Sequence, residues 1–414
     1  GVKKEYKVQA DESGNIDITV EGSINMDLSK YRMSVNIANN SKIVSDTPFG
    51  EYVDFSKPYS FDVVAVDGST RTYTINVNIF ASQIAVKELW YKLGSEFSFS
   101  QHNNRSVGFS GDNLVVHDRS ANGAYKYYDI KTGAYVGTLS NTGIDAIDAL
   151  HMISDDAGNI INCSFAPNLG SKVVMYWWKG VNADPEKLVE WESTVNGNLG
   201  RKIYVKGDLT KLAYVYLTES GGNQVVRWEV VNGQVSSEEP DIIEVKHPVE
   251  GGWGTNGRVI PIELGKESNY FVNSSRKIRV TYMDGATNSY IYNSEDHTDK
   301  FHQWLKNGGH AFDYVDMNGA KFLFIMEQNG ANWLPSIFTV HNMMKDPASI
   351  NEIFDLVHTR KYEGWLDYPM DESLGSNGNV VGEVKAQVSP DGKSALVAFI
   401  CTNGGIAVWD VKLD

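Results

Sequence analysis

Cysteine is nearly absent: Cys163 and Cys401 are the only two in 414 residues. That excludes a disulfide scaffold. Both lie in apolar segments of different repeats, so buried free thiols are expected. No apolar run approaches the roughly 20 residues of a membrane-spanning helix. Positive charge is also scarce, with 37 Lys and Arg against 52 Asp and Glu, a net charge of −15. Nucleic acids and anionic membranes are met by basic patches, so neither is an expected partner. Nucleophile elbow, phosphate loop and dinucleotide fingerprint are all missing, and no cofactor is expected. The chain opens at Gly1-Val2-Lys3-Lys4 without Met or signal peptide. It reads as one whose targeting segment has been removed, so any lipid anchor would lie outside it.

What the chain has is glycine, 38 residues, and aromatic side chains, with 10 Trp, 21 Tyr and 16 Phe. With few long helical patterns, this composition predicts an all-β protein with a large core. One β-hairpin recurs six times, at 107–117 (VGFSGDNLVVH), 151–165, 202–217 (KIYVKGDLTKLAYVYL), 259–273, 312–327 and 384–400 (VKAQVSPDGKSALVAFI). Each copy is an alternating strand, a tight Gly/Asp/Asn turn and a more apolar strand. Repeats of this size with four short strands apiece predict a six-bladed β-propeller over residues 83–414. Third strands share an aromatic–polar–aliphatic pattern, as in Tyr128-Asp129-Ile130, Trp228-Glu229-Val230 and Trp409-Asp410-Val411. Outer strands are expected near 134–139, 187–191, 242–245, 289–292 and 353–357. The sixth repeat stops after its third strand. Glu88-Leu89-Trp90-Tyr91 has the outer-strand pattern without a hairpin of its own. The strand near residues 87–92 is therefore predicted to close the ring and remove its exposed edges.

Residues 1–82 follow another pattern. Segments 15–20, 32–37, 60–66 and 72–79 alternate as half-buried strands do. Asp67-Gly68-Ser69 is a hairpin turn between the last two. About 80 residues of such strands suit a small β-sandwich. The stretch Asp54-Phe55-Ser56-Lys57-Pro58, followed by FDVVAVDGSTRTYTINV, resembles the N-terminal immunoglobulin-like domains of Bacteroidetes surface lipoproteins. The resemblance covers the first fifth of the chain. It implies a spacer module at the cell surface or in the periplasm, and no activity. The Trp-Asp pair and the Ser389-Pro390-Asp391-Gly392-Lys393 turn resemble WD-type and TolB-like bacterial propellers, which is a likeness of architecture alone.

In such a ring the hairpin turns face one side. The connections entering the first strands face the other, and loops there can vary freely on a rigid scaffold. Here they are long and aromatic. Trp253, Trp304 and Trp365, with Trp333 from a short loop, are candidate sugar-stacking residues; packing of the loops on one another is the alternative. Arg105, Arg201, Arg258 and His310 stand at the entries of first strands. They could recognise carboxylates or hydroxyls by paired hydrogen bonds, or lock neighbouring blades by bonding their carbonyls. His297, Asp299 and His302 match no trusted metal spacing. Asp313, Asp316 and Asn318 resemble a calcium set, but the last two fall in a hairpin turn, where turn chemistry explains them. Ser154–Gly158 is half of a sialidase aspartate box without its Trp. Loop-face carboxylates, among them Asp145, Asp371 and Glu372, are expected to be solvated.

These features predict a non-catalytic extracellular or periplasmic lipoprotein that binds carbohydrate on the loop face. The alternatives are a propeller glycoside hydrolase or polysaccharide lyase, which would need two suitably spaced carboxylates, and a protein-interaction scaffold. Expected partners are a glycan or another extracellular ligand, and other surface proteins.

Overall fold

The structure is a computed structural model. It describes residues 8–22, 28–29, 31–47, 50–81, 84–100, 103–119, 124–145, 149–246, 256–273, 280–293, 311–328, 332–340, 354–358, 368–375 and 382–413. The chain divides into two compact units, 1–85 and 86–413.

In the first unit, Asn15–Gly22, Thr70–Ala81, Tyr59–Val64 and Lys42–Val44 form a four-stranded sheet in that order, and Tyr31–Arg32 pairs with Tyr52–Val53. Tyr59–Val64 runs antiparallel to the strand that follows it, with Val64 opposite Thr70. The turn between them is closed by Ala65 N–H to Ser69 O at 2.9 Å, and Asp67 accepts from Ser69 N–H at 2.9 Å. Leu28, Val53, Phe55, Phe61 and Ile75 make its small core. The strand expected over 32–37 is confined to Tyr31–Arg32: the residues that follow it, through 37, join no ladder. Its alternation serves packing, since Met33 and Val35 lie against the core.

The second unit is a six-bladed propeller of four-stranded sheets. Blade 1 is Val107–Ser110, Asn113–Asp118, Ala124–Asp129 and Tyr135–Thr138. Blade 2 is Ala149–Ser154, Ile160–Ser164, Lys172–Trp178 and Glu186–Glu192. Blade 3 is Ile203–Gly207, Leu212–Thr218, Gln224–Val231 and Asp241–Glu244, with the short strand Gln234–Val235 beside it. Blade 4 is Arg258–Pro261, Tyr270–Asn273, Val280–Met283 and Tyr290–Asn293. Blade 5 is Ala311–Met317, Ala320–Gln328, Asn332–Val340 and Phe354–His358, and Tyr368–Pro369 pairs with the third of these. Blade 6 is Gly382–Val388, Ser394–Cys401 and Gly405–Leu413, and its fourth strand is Ile84–Leu93. The chain thus closes its own ring with a strand from before blade 1. Trp90 fastens the joint by donating its indole N–H to Ile130 O of blade 1 at 2.6 Å, and Lys92 donates to Gly133 O at 3.0 Å.

Apolar faces of neighbouring blades pack on each other. One cluster runs from Ile153 in blade 2 to Val340 in blade 5, and another joins Val107 and Phe109 of blade 1 to Ile400 and Val408 of blade 6. Alternation places Leu114 and Val116 toward blade 6 and Val115 toward blade 2. Cys163 and Cys401 are buried free thiols in second strands, and burial pushes both well above the ordinary thiol range. No helix among the described residues is long and apolar enough to cross a membrane.

Candidate functional site

The first strands surround an axis filled with charge. Glu383, at the entry of blade 6, is fully buried and meets residues of three other blades. Its Oε2 accepts from His151 Nε2 of blade 2 at 2.5 Å and from Lys202 Nζ before blade 3 at 2.7 Å. Its Oε1 accepts from Arg258 of blade 4. Arg258 also donates to the carbonyls of Phe312 in blade 5 and Val384 in blade 6. Lys202 donates to Gly382 O at 2.8 Å. Burial alone would raise the Glu383 carboxyl, but Arg258 and Lys202 outweigh it and hold the group well below the usual carboxylate range. Burial lowers the Lys202 ammonium, with Glu383 opposing.

His151 has one tautomer that fits. Its Nδ1 accepts from Ile203 N–H at 3.2 Å, so the proton sits on Nε2 and is donated to Glu383. Burial and then Lys202 push its pKa down to about 4, so the ring is neutral at pH 7. One layer deeper, Asp313 of blade 5 accepts from Tyr204 Oη of blade 3 at 2.9 Å and from Ala386 N–H at 2.8 Å, and faces Lys385 Nζ at 3.8 Å. Arg258 and Lys385 both sit over the Tyr204 ring, at 5.3 and 5.4 Å. Five blades are tied across the axis by these contacts.

The hairpin-turn side closes itself. Asp155 accepts from Ala157, Asn159 and Leu209 N–H at 2.8–2.9 Å, which satisfies its own turn and reaches into blade 3. Asp208 and Asp391 cap their turns in the same way, from Thr210 and Lys393 N–H. The half aspartate box at 154–158 is this turn and nothing more. Asp316 caps Gly319 N–H at 2.6 Å while Asp313 serves the axis, so the calcium-like set is divided between two unrelated tasks. No metal-ligand cluster is found among the described residues.

On the loop side, Arg119 follows the second strand of blade 1, Phe165 follows the second strand of blade 2 and Arg201 precedes the first strand of blade 3; all three are half-exposed. Arg201 is set by its loop. Leu199 and Ala166 exchange backbone bonds at 2.8 and 3.1 Å, and Ser220 N–H bonds Asn198 O at 2.9 Å. Gly200 makes the bend at φ +84°, and a Cβ there would lie 2.0 Å from Ser164 O, so only glycine fits. Arg201 then donates Nε–H to Asn198 Oδ1 at 2.9 Å and lies 5.1 Å over the Phe165 ring. Arg119 is held by its N–H to Asn103 O. His117, in the second strand of blade 1, is fully buried and stacks on Tyr125 at 4.8 Å. Neither of its ring nitrogens has a hydrogen-bond partner among the described residues. Burial, then His151, lower its pKa to about 3, and Arg119 and Arg105 act in the same direction.

The expected arginine set is therefore split. Arg258 locks blades, one of the two roles foreseen, and is corrected from a ligand contact because it is 4% exposed and its Nη1 and Nη2 donate to protein acceptors. Arg105 is 9% exposed, and Arg201 remains half-exposed at its loop. Trp333 is also corrected: it lies inside a blade 5 strand at 0% exposure, against Tyr91 and Tyr368, and cannot stack on a ligand. Trp253, Trp304, Trp365 and His310 lie outside the described residues, as do His297, Asp299 and His302. Asp145 and Glu372 are exposed, while Asp371 accepts from Ser95 and Ser373 N–H. Sequence reasoning missed His151, Lys202, Glu383 and Lys385, and weighed Asp313 only as part of a calcium-like set. The signal was available: charged residues interrupt inner strands that are otherwise apolar, as Glu383 and Lys385 do in GEVKAQV.

A ring of six four-stranded blades around a charged axis defines a β-propeller. A family model described as a domain of unknown function, DUF8500, matches residues 96–401, and the chain belongs to that family. No curated protein matches. Among solved structures, a DUF4623 family protein from Bacteroides eggerthii superposes with a TM-score of 0.59 at 12% identity, covering 98% of this chain and 94% of that one. This likeness is one of fold. The β-propeller domain of Cps50 (Swd1) from Myceliophteria thermophila matches with a TM-score of 0.38 at 12% identity, over 73% of this chain and 85% of that one. The PQQ-bound aldose sugar dehydrogenase from Streptomyces coelicolor matches with a TM-score of 0.42 at 12% identity, over 80% of this chain and 99% of that one. Nothing is built on these two weaker matches.

Proposed function

We propose that the protein is a non-catalytic ligand-binding propeller of the cell surface or periplasm, and that it takes carbohydrate on the loop side. The observation that carries this reading is the asymmetry between the two sides. The described hairpin turns spend their polar groups on closing strands. The loop side presents a half-exposed guanidinium lying over an aromatic ring, with an anchored loop holding both. Trp253, Trp304 and Trp365, which the sequence puts in the connections entering first strands, are the proposed stacking partners. The first unit, read as an immunoglobulin-like domain, serves as a spacer, and a lipid anchor preceding it is part of the same proposal. The commitment of Glu383 and Asp313 to neighbouring cations and N–H groups suits a structural role better than acid–base chemistry.

The test is a glycan-array screen with product analysis, followed by titration of the hits against W253A, W304A and W365A. Loss of a stacking ring weakens binding by about 1–3 kcal/mol, the scale for an interface anchor. Release of shortened products would replace this reading by the hydrolase or lyase alternative. Unchanged affinity in all three variants would place the ligand elsewhere.

A further inference from the structure

We infer that segment 368–375 is a clasp that locks the ring closure, so that the propeller opens at blade 6 only after this segment lets go. In blades 1 to 5 the four strands follow one another in the chain. Blade 6, alone among the described blades, joins three strands from the C-terminal end to one from before blade 1. Its seam, between Ile84–Leu93 and Gly405–Leu413, is therefore bridged by no connection of its own and rests on non-covalent contacts. Local opening at such a seam costs less than global unfolding. An opened seam would bare the edge of Gly405–Leu413 to another chain. Segment 368–375 belongs to the connection between the fourth strand of blade 5 and the first strand of blade 6. It comes from neither strand of the seam and touches both.

The contacts start in blade 5, where Tyr368 and Pro369 pair with Trp333 and Asn332, and Trp333 Nε1 donates to Pro369 O at 3.4 Å. On the closing strand, Tyr91 donates its hydroxyl to the same Pro369 carbonyl at 3.1 Å, and its ring centroid lies 4.3 Å from that of Tyr368. The Tyr368 hydroxyl works in both directions. It donates to Glu88 of the closing strand and accepts from Trp409 Nε1 of blade 6 at 3.2 Å. One buried tyrosine thus holds the closing strand and the strand it pairs with. Asp371 makes the second hold. Its N–H donates to Asn403 O, in the turn between the last two strands of blade 6, at 2.6 Å. Its carboxylate accepts from Ser95 N–H, just after the closing strand, at 2.8 Å and from Ser373 N–H at 3.1 Å. Asn403 answers from blade 6 by donating from Nδ2 to Leu374 O and Gly375 O at 3.3 and 2.7 Å. Leu374 packs on the cluster that joins blades 1 and 6, and a Cβ on Gly94 would lie 2.7 Å from its Cδ1. Parting the two strands of the seam therefore breaks the Tyr368 and Asp371 holds as well as the ladder.

The experiment is native-state hydrogen exchange of the full chain, read by mass spectrometry on peptides covering 86–93, 405–413 and 203–218. The first two report the seam, and the third reports the first hairpin of blade 3. The parent is compared with Y368F, D371A and the double variant, with thermal melts to confirm folding. Each lost hydrogen bond shifts an opening equilibrium a few-fold, so the double variant should speed exchange at the seam on the order of tenfold. Exchange in 203–218 should match the parent. Unchanged exchange at the seam in the double variant overturns the clasp. Equal acceleration in all three peptides also overturns it, because the segment would then carry ordinary global stability and no local lock. Should the double variant fail to fold, the single variants decide by the same criteria, each expected to speed the seam about threefold with 203–218 unchanged.

Discussion

Glu383 is fully buried with two cations on it, and its removal separates charge from counter-charge. In E383Q the carboxylate becomes neutral while Lys202 and Arg258 stay buried at 4% side-chain exposure each. An uncompensated buried charge typically costs 3–5 kcal/mol, so E383Q should lower unfolding stability by about that amount in denaturant melts. Replacing Glu383, Lys202 and Arg258 together by apolar residues of similar volume should recover most of the loss. If the single variant is as stable as the parent, the axis is not a lock. The buried histidines act through pH. His151 and His117 have folded pKa values of about 4 and about 3, below the unfolded value near 6.5. Their contribution is thus fully present above pH 6.5 and is lost as pH falls toward those folded values, because the unfolded chain takes up protons that the folded one refuses. The shifts correspond to roughly 3 kcal/mol for His151 and roughly 5 kcal/mol for His117 across that window. H117F should flatten the fall of the melting temperature between pH 6.5 and pH 4. None of this was legible from residue type alone. Arg258 stands at a strand entry just as Arg201 does, and only the cross-axis position of Glu383 decides that one turns inward and the other stays at the rim.

Among the elements, the hairpins were the most legible, since each carries its own evidence in a two-residue period and a Gly/Asp/Asn turn. The closing strand was legible for a different reason: an outer-strand pattern without a hairpin had one open edge to fill, beside Gly405–Leu413. The third strand of blade 4, Val280–Met283, was not identified, because its four residues are too short to show a pattern. Lys42–Val44 escaped notice for the same reason. Trp333 shows where local reading fails. Its surroundings, Gln328-Asn329-Gly330-Ala331-Asn332, look like a turn, but the strands on either side extend until Gln328 pairs with Trp333. The indole then lies between Tyr91 of the closing strand and Tyr368, with centroids 5.9 and 4.8 Å away. W333A should therefore act on stability, by roughly 3–5 kcal/mol for a buried aromatic truncated to alanine. In binding titrations at a temperature where it stays folded, its ligand affinity should match the parent. A selective loss of affinity would return Trp333 to the ligand site.

At the scale of the whole molecule, two units of unequal size share one chain, and the strand Ile84–Leu93 begins where the first unit ends. Each unit has its own apolar core, five buried residues around Phe61 in one and the inter-blade clusters in the other. Units with separate cores unfold separately when little energy couples them. Unfolding enthalpy scales with length at about 0.7 kcal/mol per residue. The 85 residues of the first unit then correspond to about 60 kcal/mol, and the 328 of the second to about 230 kcal/mol. Differential scanning calorimetry should resolve two transitions in roughly that ratio. A chain starting at residue 84 keeps the whole closing strand and should retain the larger transition unchanged. A chain starting at residue 94 loses that strand, leaves the edge of Gly405–Leu413 unpaired, and should melt lower and associate in light scattering. One merged transition in the full chain, lost altogether on removing residues 1–83, would show that the propeller cannot stand without its neighbour.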